Sequence, residues 1–200
     1  MSMANLGCET VTPIFNEQKA FNHLLAQCEF GPRNPGSDGH IRTKKYILDF
    51  VQELVDTVIV QDFSFKSALE NKNHNGTNII ARVNPTSNTQ ILIGAHWDTR
   101  PLADQDEDSR NYETPILGAN DGASGVAVLL ELVNVLNDNR PNIGINLVFF
   151  DAEDSGVSGE NESYCQGSIY FAKNLPAKNT KEATIRDMGG ENKLSRPKER

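Results

Sequence analysis

The stretch Gly144-Ile145-Asn146-Leu147-Val148-Phe149-Phe150, followed at once by Asp151-Ala152-Glu153-Asp154, decides the fold. Seven nearly continuous apolar residues without strict alternation are what a central strand shows when helices cover both its faces. A group of acids directly after such a strand lies at the sheet edge where open α/β proteins bind their ligands.

Working outward, the period shifts between helix and strand. Upstream, residues 122–137 repeat apolar residues at helical spacing (Val126, Leu129, Leu130, Val133, Leu136), and 104–113 read as a solvated acidic loop. Residues 57–65, 77–83 and 90–95 are rich in Val, Ile and Phe and predict strands, separated by turns at 71–76 and 84–88. The shortness of the second turn predicts that the strands flanking it are antiparallel neighbours. Asn16 caps a helix reaching about Glu29, with Phe21, Leu24, Leu25 and Cys28 on one face. Gly31-Pro32-Arg33-Asn34-Pro35-Gly36 breaks it. Ser37 or Asp38 then caps a second helix carrying Ile41, Ile47, Leu48, Val51, Leu54 and Val55. Downstream, a helix over 167–174 stops before Leu175-Pro176, and a short strand follows at 182–186. The expectation is an α/β fold, a mixed and mostly parallel sheet between helix layers. Residues 1–15 read as a flexible segment, 16–188 as one domain, and 189–200 as a charged tail.

Bulk composition excludes several classes. The 200 residues carry 27 acids against 19 bases, a net charge of −8, which argues against a nucleic-acid partner. No apolar run approaches the length of a spanning helix, so no membrane-spanning segment is expected. The three cysteines, Cys8, Cys28 and Cys165, lack metal-type spacing and read as unpaired thiols. The Asn5-Leu6-Gly7-Cys8 tetrad is similar to the end of a bacterial lipoprotein signal, which favours a periplasmic or cell-surface location over a cytoplasmic one. Oligomeric state is not legible.

The chemistry-bearing residues share one position in this layout. His96 and Asp98 follow the strand at 90–95; Asp121 precedes the helix at 122; Asp151, Glu153 and Asp154 follow the strand at 144–150; Asp187 follows the last strand. Taken singly, each has a plain structural explanation: His96 as a core or surface residue, Asp121 as a helix cap, Asp151 to Asp154 as a solvated turn. His23, His40 and His74 have no evident partners and read as structural. Four segments delivering His, Asp, Glu-Asp and Asp to one edge are different, because carboxylates crowded in a dry cleft repel one another and a dication relieves that repulsion. An imidazole among the oxygens favours zinc or a similar transition metal over calcium or magnesium. Asp98 is placed to orient the His96 ring.

Three segments then carry a resemblance: Gly94-Ala95-His96-Trp97-Asp98-Thr99-Arg100-Pro101, Gly118-Ala119-Asn120-Asp121-Gly122-Ala123-Ser124-Gly125 and Phe149-Phe150-Asp151-Ala152-Glu153-Asp154. Together, in this order, they resemble the zinc aminopeptidase and glutaminyl cyclase superfamily, and most of all its bacterial glutaminyl-peptide cyclotransferases. Phe30-Gly31-Pro32-Arg33-Asn34-Pro35-Gly36-Ser37 and Cys165-Gln166-Gly167-Ser168-Ile169-Tyr170-Phe171-Ala172 are similar to that branch too. The resemblance implies an α/β/α sandwich, zinc as cofactor, and peptide or protein N-termini as substrate. It implies Asp121 and Asp154 as metal carboxylates, Glu153 as general acid/base and His96 as a ligand of a second metal. Asp187 matches either a further second-metal ligand or the proton-relay aspartate of cyclases. The interval from Ser155 to Gln166 before Gly167-Ser168 is similar to the cyclases, whereas aminopeptidases place Gly-Ser almost directly after the acidic pair. Cyclisation of N-terminal glutamine, with release of ammonia, is therefore the first functional expectation; a zinc aminopeptidase is the second. Family domains run on beyond the Asp187 motif to a further histidine ligand. The resemblance therefore also implies that these 200 residues alone bind zinc weakly and form an inactive or poorly active fragment of such an enzyme.

Overall fold

A computed structural model describes residues 12–176 with their side chains and the backbone of 180–185. Its elements are α1 (Glu17–Glu29), α2 (Asp38–Gln52), β1 (Thr57–Ser67), β2 (Lys72–Val83), β3 (Gln90–His96), α3 (Ala123–Asp138), β4 (Gly144–Phe150), α4 (Gln166–Lys173) and β5 (Thr180–Ile185), with short 3-10 turns at Ser109–Asn111 and Asn161–Ser163. The five strands form one sheet in the order β1-β2-β4-β3-β5. β2 pairs antiparallel with both β1 and β4, while β3 pairs parallel with both β4 and β5. Only β2 therefore runs against the other four, and the mixed, mostly parallel sheet is present.

One sequence expectation about topology is overturned. β2 and β3 run in opposite directions but are not neighbours, because β4 lies between them. Turn length reports how soon the chain reverses and carries no information about a strand that arrives later. The first hairpin is also longer than expected: β2 begins at Lys72 and pairs as far as Ser67↔Lys72.

β4 fills its central role because both faces are apolar. Ile145, Leu147 and Phe149 enter a core with Ile47 and Val51 of α2, Ile79, Ala81 and Val83 of β2, and Val126, Leu129, Leu130 and Val133 of α3. On the opposite face Val148 and Phe150 meet Ile80, Leu92 and Phe171 of α4. The layers are thus α2 and α3 on one side and α4 on the other, with α1 packed on α3. All seven β4 residues are buried, which explains why the strand reads as a continuous apolar run.

α1 has the expected limits and cap, since Asn16 Oδ1 accepts from Lys19 N–H. Its buried face is not the expected one. Phe21 and Leu25 remain 53% and 44% exposed, while Ala20, His23 and Gln27 are buried. Gln27 Nε2 donates to the carbonyls of His23 and Ala123, and His23 Nδ1 lies 2.6 Å from the Tyr46 hydroxyl. Hydrogen bonding makes this polar face compatible with burial. Ser37 caps α2 through the His40 N–H, and Ile41 points outward, 61% exposed. No helix among the described residues is long and apolar enough to cross a membrane. The Asn5 to Cys8 tetrad, Asp187 and the charged tail lie outside the described residues.

Leu129 is 1% exposed at the centre of the α3 face. Leu129→Ala is expected to cost about 2–5 kcal/mol of unfolding free energy in a urea titration, through lost transfer energy and the cavity left behind.

Candidate active site

The parallel register of β3 and β4 sets the site. His96 is paired opposite Phe150, and Trp97 N–H donates to Phe150 O at 2.9 Å, so both strands end level. Two chain segments leave that edge together. Asp98, wholly buried, accepts the Glu153 N–H on Oδ1 at 3.0 Å and the Asp154 N–H on Oδ2 at 3.2 Å. Its Oδ1 also lies 3.5 Å from His96 Nδ1. The other nitrogen of that ring, Nε2, is 2.8 Å from Asp121 Oδ1. The imidazole thus spans two carboxylates, with Asp98 behind it and the half-exposed Asp121 in front.

Asp121 is not a helix cap. The N-cap of α3 is Gly122, at φ +88° and with no side-chain cap bond, which leaves the Asp121 carboxylate to face His96. A Cβ on Gly122 would stand 2.7 Å from Asp98 O and 3.3 Å from His96 Cε1, so only glycine lets the helix start this close to β3.

Asp151, Glu153 and Asp154 separate into different environments at the turn made by Ala152, whose φ is +56°. Asp151 points inward. Both its carboxylate oxygens are 3.0 Å from His40 Nε2, and it accepts from Thr77 N–H and Ala152 N–H. The His40 ring stacks on Trp97 at 4.3 Å, so His40 has a partner, contrary to its expected isolation. His23 and His74 have partners too, Tyr46 and Glu70. Glu153 remains at the edge, where Cys165 Sγ donates to Oε1 at 3.3 Å and Cys165 N–H donates to Glu153 O at 2.9 Å.

The carboxylates feel one another. Burial, with Glu153, Asp98 and Asp121 nearby, pushes Asp154 up to about 7 even though Arg100 pulls it down. Burial also raises Asp151, and His40 offsets only part of it. Burial works in the same sense on Asp98, but His96 and the two accepted amides hold it below the usual carboxylate range. The groups thus differ in charge preference, a pattern that clusters at functional sites.

Two arginines complete the site, and sequence reasoning assigned neither a role. Arg33, wholly buried, donates from its guanidinium to Trp97 O, Leu117 O and Gly118 O, and its N–H donates to Thr99 Oγ1. It ties the glycine- and proline-rich break after α1 to the segments carrying His96 and Asp121. Arg100 grips Asp154 and Asp104, so part of the supposedly solvated acidic loop is built into the site. The available signal was position: both lie inside quoted motifs, Arg33 between two prolines and Arg100 two residues beyond Asp98.

Nitrogen and carboxylate donors, with a carboxyl whose proton is retained because it is buried and negative charges lie near it, fit a zinc-type cation in kind. They do not form a closed cage: among the described residues no three His, Cys, Asp or Glu side chains converge as a ready metal site. His96 and Asp121 are together, Glu153 and Asp154 are fixed by their amides on Asp98, and Asp187 falls outside the described residues.

The family model for Peptidase family M28 matches residues 78–196. The chain belongs to this family. The chain is also similar to three proteins of known kind. Glutaminyl cyclase of Bacteroides thetaiotaomicron, solved with N-acetylhistamine, is 37% identical with a TM-score of 0.84, over 91% of this chain and 65% of that one. A Zn-dependent exopeptidase from Parabacteroides distasonis is 32% identical with a TM-score of 0.84, over 91% of this chain and 64% of that one. The glutaminyl-peptide cyclotransferase of Bos taurus is 26% identical over 153 residues, covering 72% of this chain. The chain spans about two-fifths of that curated relative (41%) and under two thirds of both solved structures. These likenesses confirm the expected superfamily and the α/β/α fold.

The position of Asp154 gives a pH test. Folded, it keeps its proton to about pH 7 against an ordinary value of 3.8, so the folded state binds more protons than the unfolded state between these limits. Its contribution favours folding at low pH and is lost as pH rises through that window. In metal-free protein, Asp154→Asn is expected to be more stable than the parent at pH 8, by up to about 4 kcal/mol, with the gap closing towards pH 4. Urea midpoints across pH measure this, and a gap constant with pH would contradict it.

Proposed function

We propose that the protein is a zinc-assisted glutaminyl-peptide cyclotransferase, converting the N-terminal glutamine of peptides to pyroglutamate with release of ammonia. The observation that carries the reading is the loop at 155–165. It intervenes between the Glu153-Asp154 pair and α4 and folds back so that Cys165 bonds both the backbone and the carboxylate of Glu153. This interval is the feature in which the sequence resembles cyclases, and it bears directly on the group that moves the proton.

In this reading Asp121 and Asp154 hold the cation and His96 stands beside Asp121. Zinc, when bound, supplies Lewis-acid polarisation of the side-chain amide carbonyl. Glu153 takes a proton from the α-amine as its nitrogen bonds to that amide carbon. Glu153 then gives the proton to the departing nitrogen as the carbon–nitrogen bond of the side-chain amide breaks, and ammonia leaves. Asp98 positions Glu153 by accepting its N–H and orients the His96 ring. Asp187 is assigned to relay the proton.

The second reading keeps the site and changes the nucleophile: Glu153 activates a water, and the first peptide bond is hydrolysed, as an exopeptidase requires. The likeness to the Parabacteroides distasonis protein favours it. The two separate cleanly in the zinc-loaded full-length protein. Ammonia from a Gln-initiated peptide supports cyclisation, and free amino acid from a Leu-initiated peptide supports hydrolysis. If both peptides survive intact, neither reading stands. Glu153→Gln is expected to slow ammonia release by about 10²–10⁴-fold while leaving zinc uptake intact, as measured by coupled assay and metal analysis.

A further inference from the structure

At the sheet edge Arg100 is held by hydrogen bonds from its guanidinium Nε, Nη1 and Nη2. Its side chain is 8% exposed. Asp104 takes one edge of the guanidinium in a fork, Nε to Oδ1 at 2.6 Å and Nη2 to Oδ2 at 2.7 Å. That leaves Nη1, which donates to Asp154 Oδ1 at 3.0 Å, to Asp154 O at 3.3 Å and to Gly156 O at 3.1 Å. The Tyr164 ring lies 5.8 Å from the guanidinium carbon. A planar group fixed along one edge by a bidentate carboxylate has little freedom to turn, so the direction of Nη1 is set by Asp104.

The consequence falls on Asp154. Arg100 holds its main-chain oxygen and one carboxylate oxygen, while among the described residues no hydrogen bond reaches Oδ2. An exposed ion pair contributes little, but this arginine is buried and its target is a carboxylate crowded by Glu153, Asp98 and Asp121. Among the described residues, Arg100 makes the hydrogen bonds that hold the Asp154 main-chain oxygen and carboxyl group in this rotamer.

We propose that Arg100, aimed by Asp104, is a positioning residue that fixes the rotamer of Asp154 and leaves its Oδ2 presented for a cation. This rests on the reading of Asp154 as a metal carboxylate. In this assignment Arg100 acts through Asp154, and Asp104 acts through Arg100.

Zinc affinity, read by chelator competition on the full-length protein, tests the assignment. Arg100→Gln is expected to weaken zinc binding by about 10–100-fold. Arg100→Lys keeps the charge without the fork and restores part of the loss. Asp104→Asn, a partly exposed residue that does not touch Asp154, weakens binding in the same direction, and the double variant Asp104→Asn/Arg100→Gln is no weaker than Arg100→Gln. The core variant Leu129→Ala lowers the melting temperature without moving zinc affinity, which separates positioning from loss of stability. If Arg100→Gln does not fold, Asp104→Asn decides. A parent that binds zinc while both variants bind it as tightly overturns the positioning role. A parent that binds no zinc overturns instead the functional reading beneath it.

Discussion

The pair of hydrogen bonds that Asp98 accepts from the amides of Glu153 and Asp154 is the constraint on which the site depends. β3 and β4 would end level without it, since their register is set by the sheet. What the sheet cannot do is decide where the chain goes after Phe150. A wholly buried carboxylate must have its oxygens satisfied, and here the partners are the amides of the two acidic residues themselves. One buried acid from β3 thereby holds the backbone of two acids from β4 beside an imidazole. The left-handed turn at Ala152 makes the geometry possible by sending Asp151 inward to His40 while its two successors stay at the edge.

Around this point the protein concentrates charge of both signs. Arg33 is buried against three carbonyls and meets Asp98 and Asp121 only across space. Burial lowers its proton affinity while those acids, and first among its neighbours Cys28, raise it. Arg100 meets carboxylates directly. Guanidinium groups suit both duties because they stay charged when desolvated and donate in several fixed directions. The cost of desolvating them is accepted where three loops must be held in one arrangement, and those loops carry His96, Asp121 and Asp154.

Much of this was legible in the sequence, and what was missed has physical reasons. The continuous apolar run at 144–150 named the central strand, and Asn16 and Ser37 named the starts of α1 and α2. His96 lies against Asp98 and Asp121, and Glu153 and Asp154 rest on Asp98 through their amides, in keeping with their common place after strands and before a helix. The buried face of α1 was misjudged because counting apolar side chains cannot reveal that Gln27 finds the Ala123 carbonyl or that His23 finds Tyr46. Asp104 was misjudged for the same reason: an acid in an acidic run looks solvated until a buried arginine claims it. His40 and Asp151 lie 111 residues apart, and no local pattern couples them. The adjacency of β2 and β4 was invisible in the same way, since pairing partners are chosen by the whole sheet.

That strand order has a consequence for biosynthesis. β2 leaves the ribosome long before β4, yet β4 must enter between β2 and β3. Until then the nascent chain carries a β1–β2 hairpin with one bare edge and a β3 segment with no partner on that side. Such edges pair readily with strangers. The sheet closes only after residue 150 has emerged, so a pause in translation within α3 would prolong the period in which two apolar strand edges stand open.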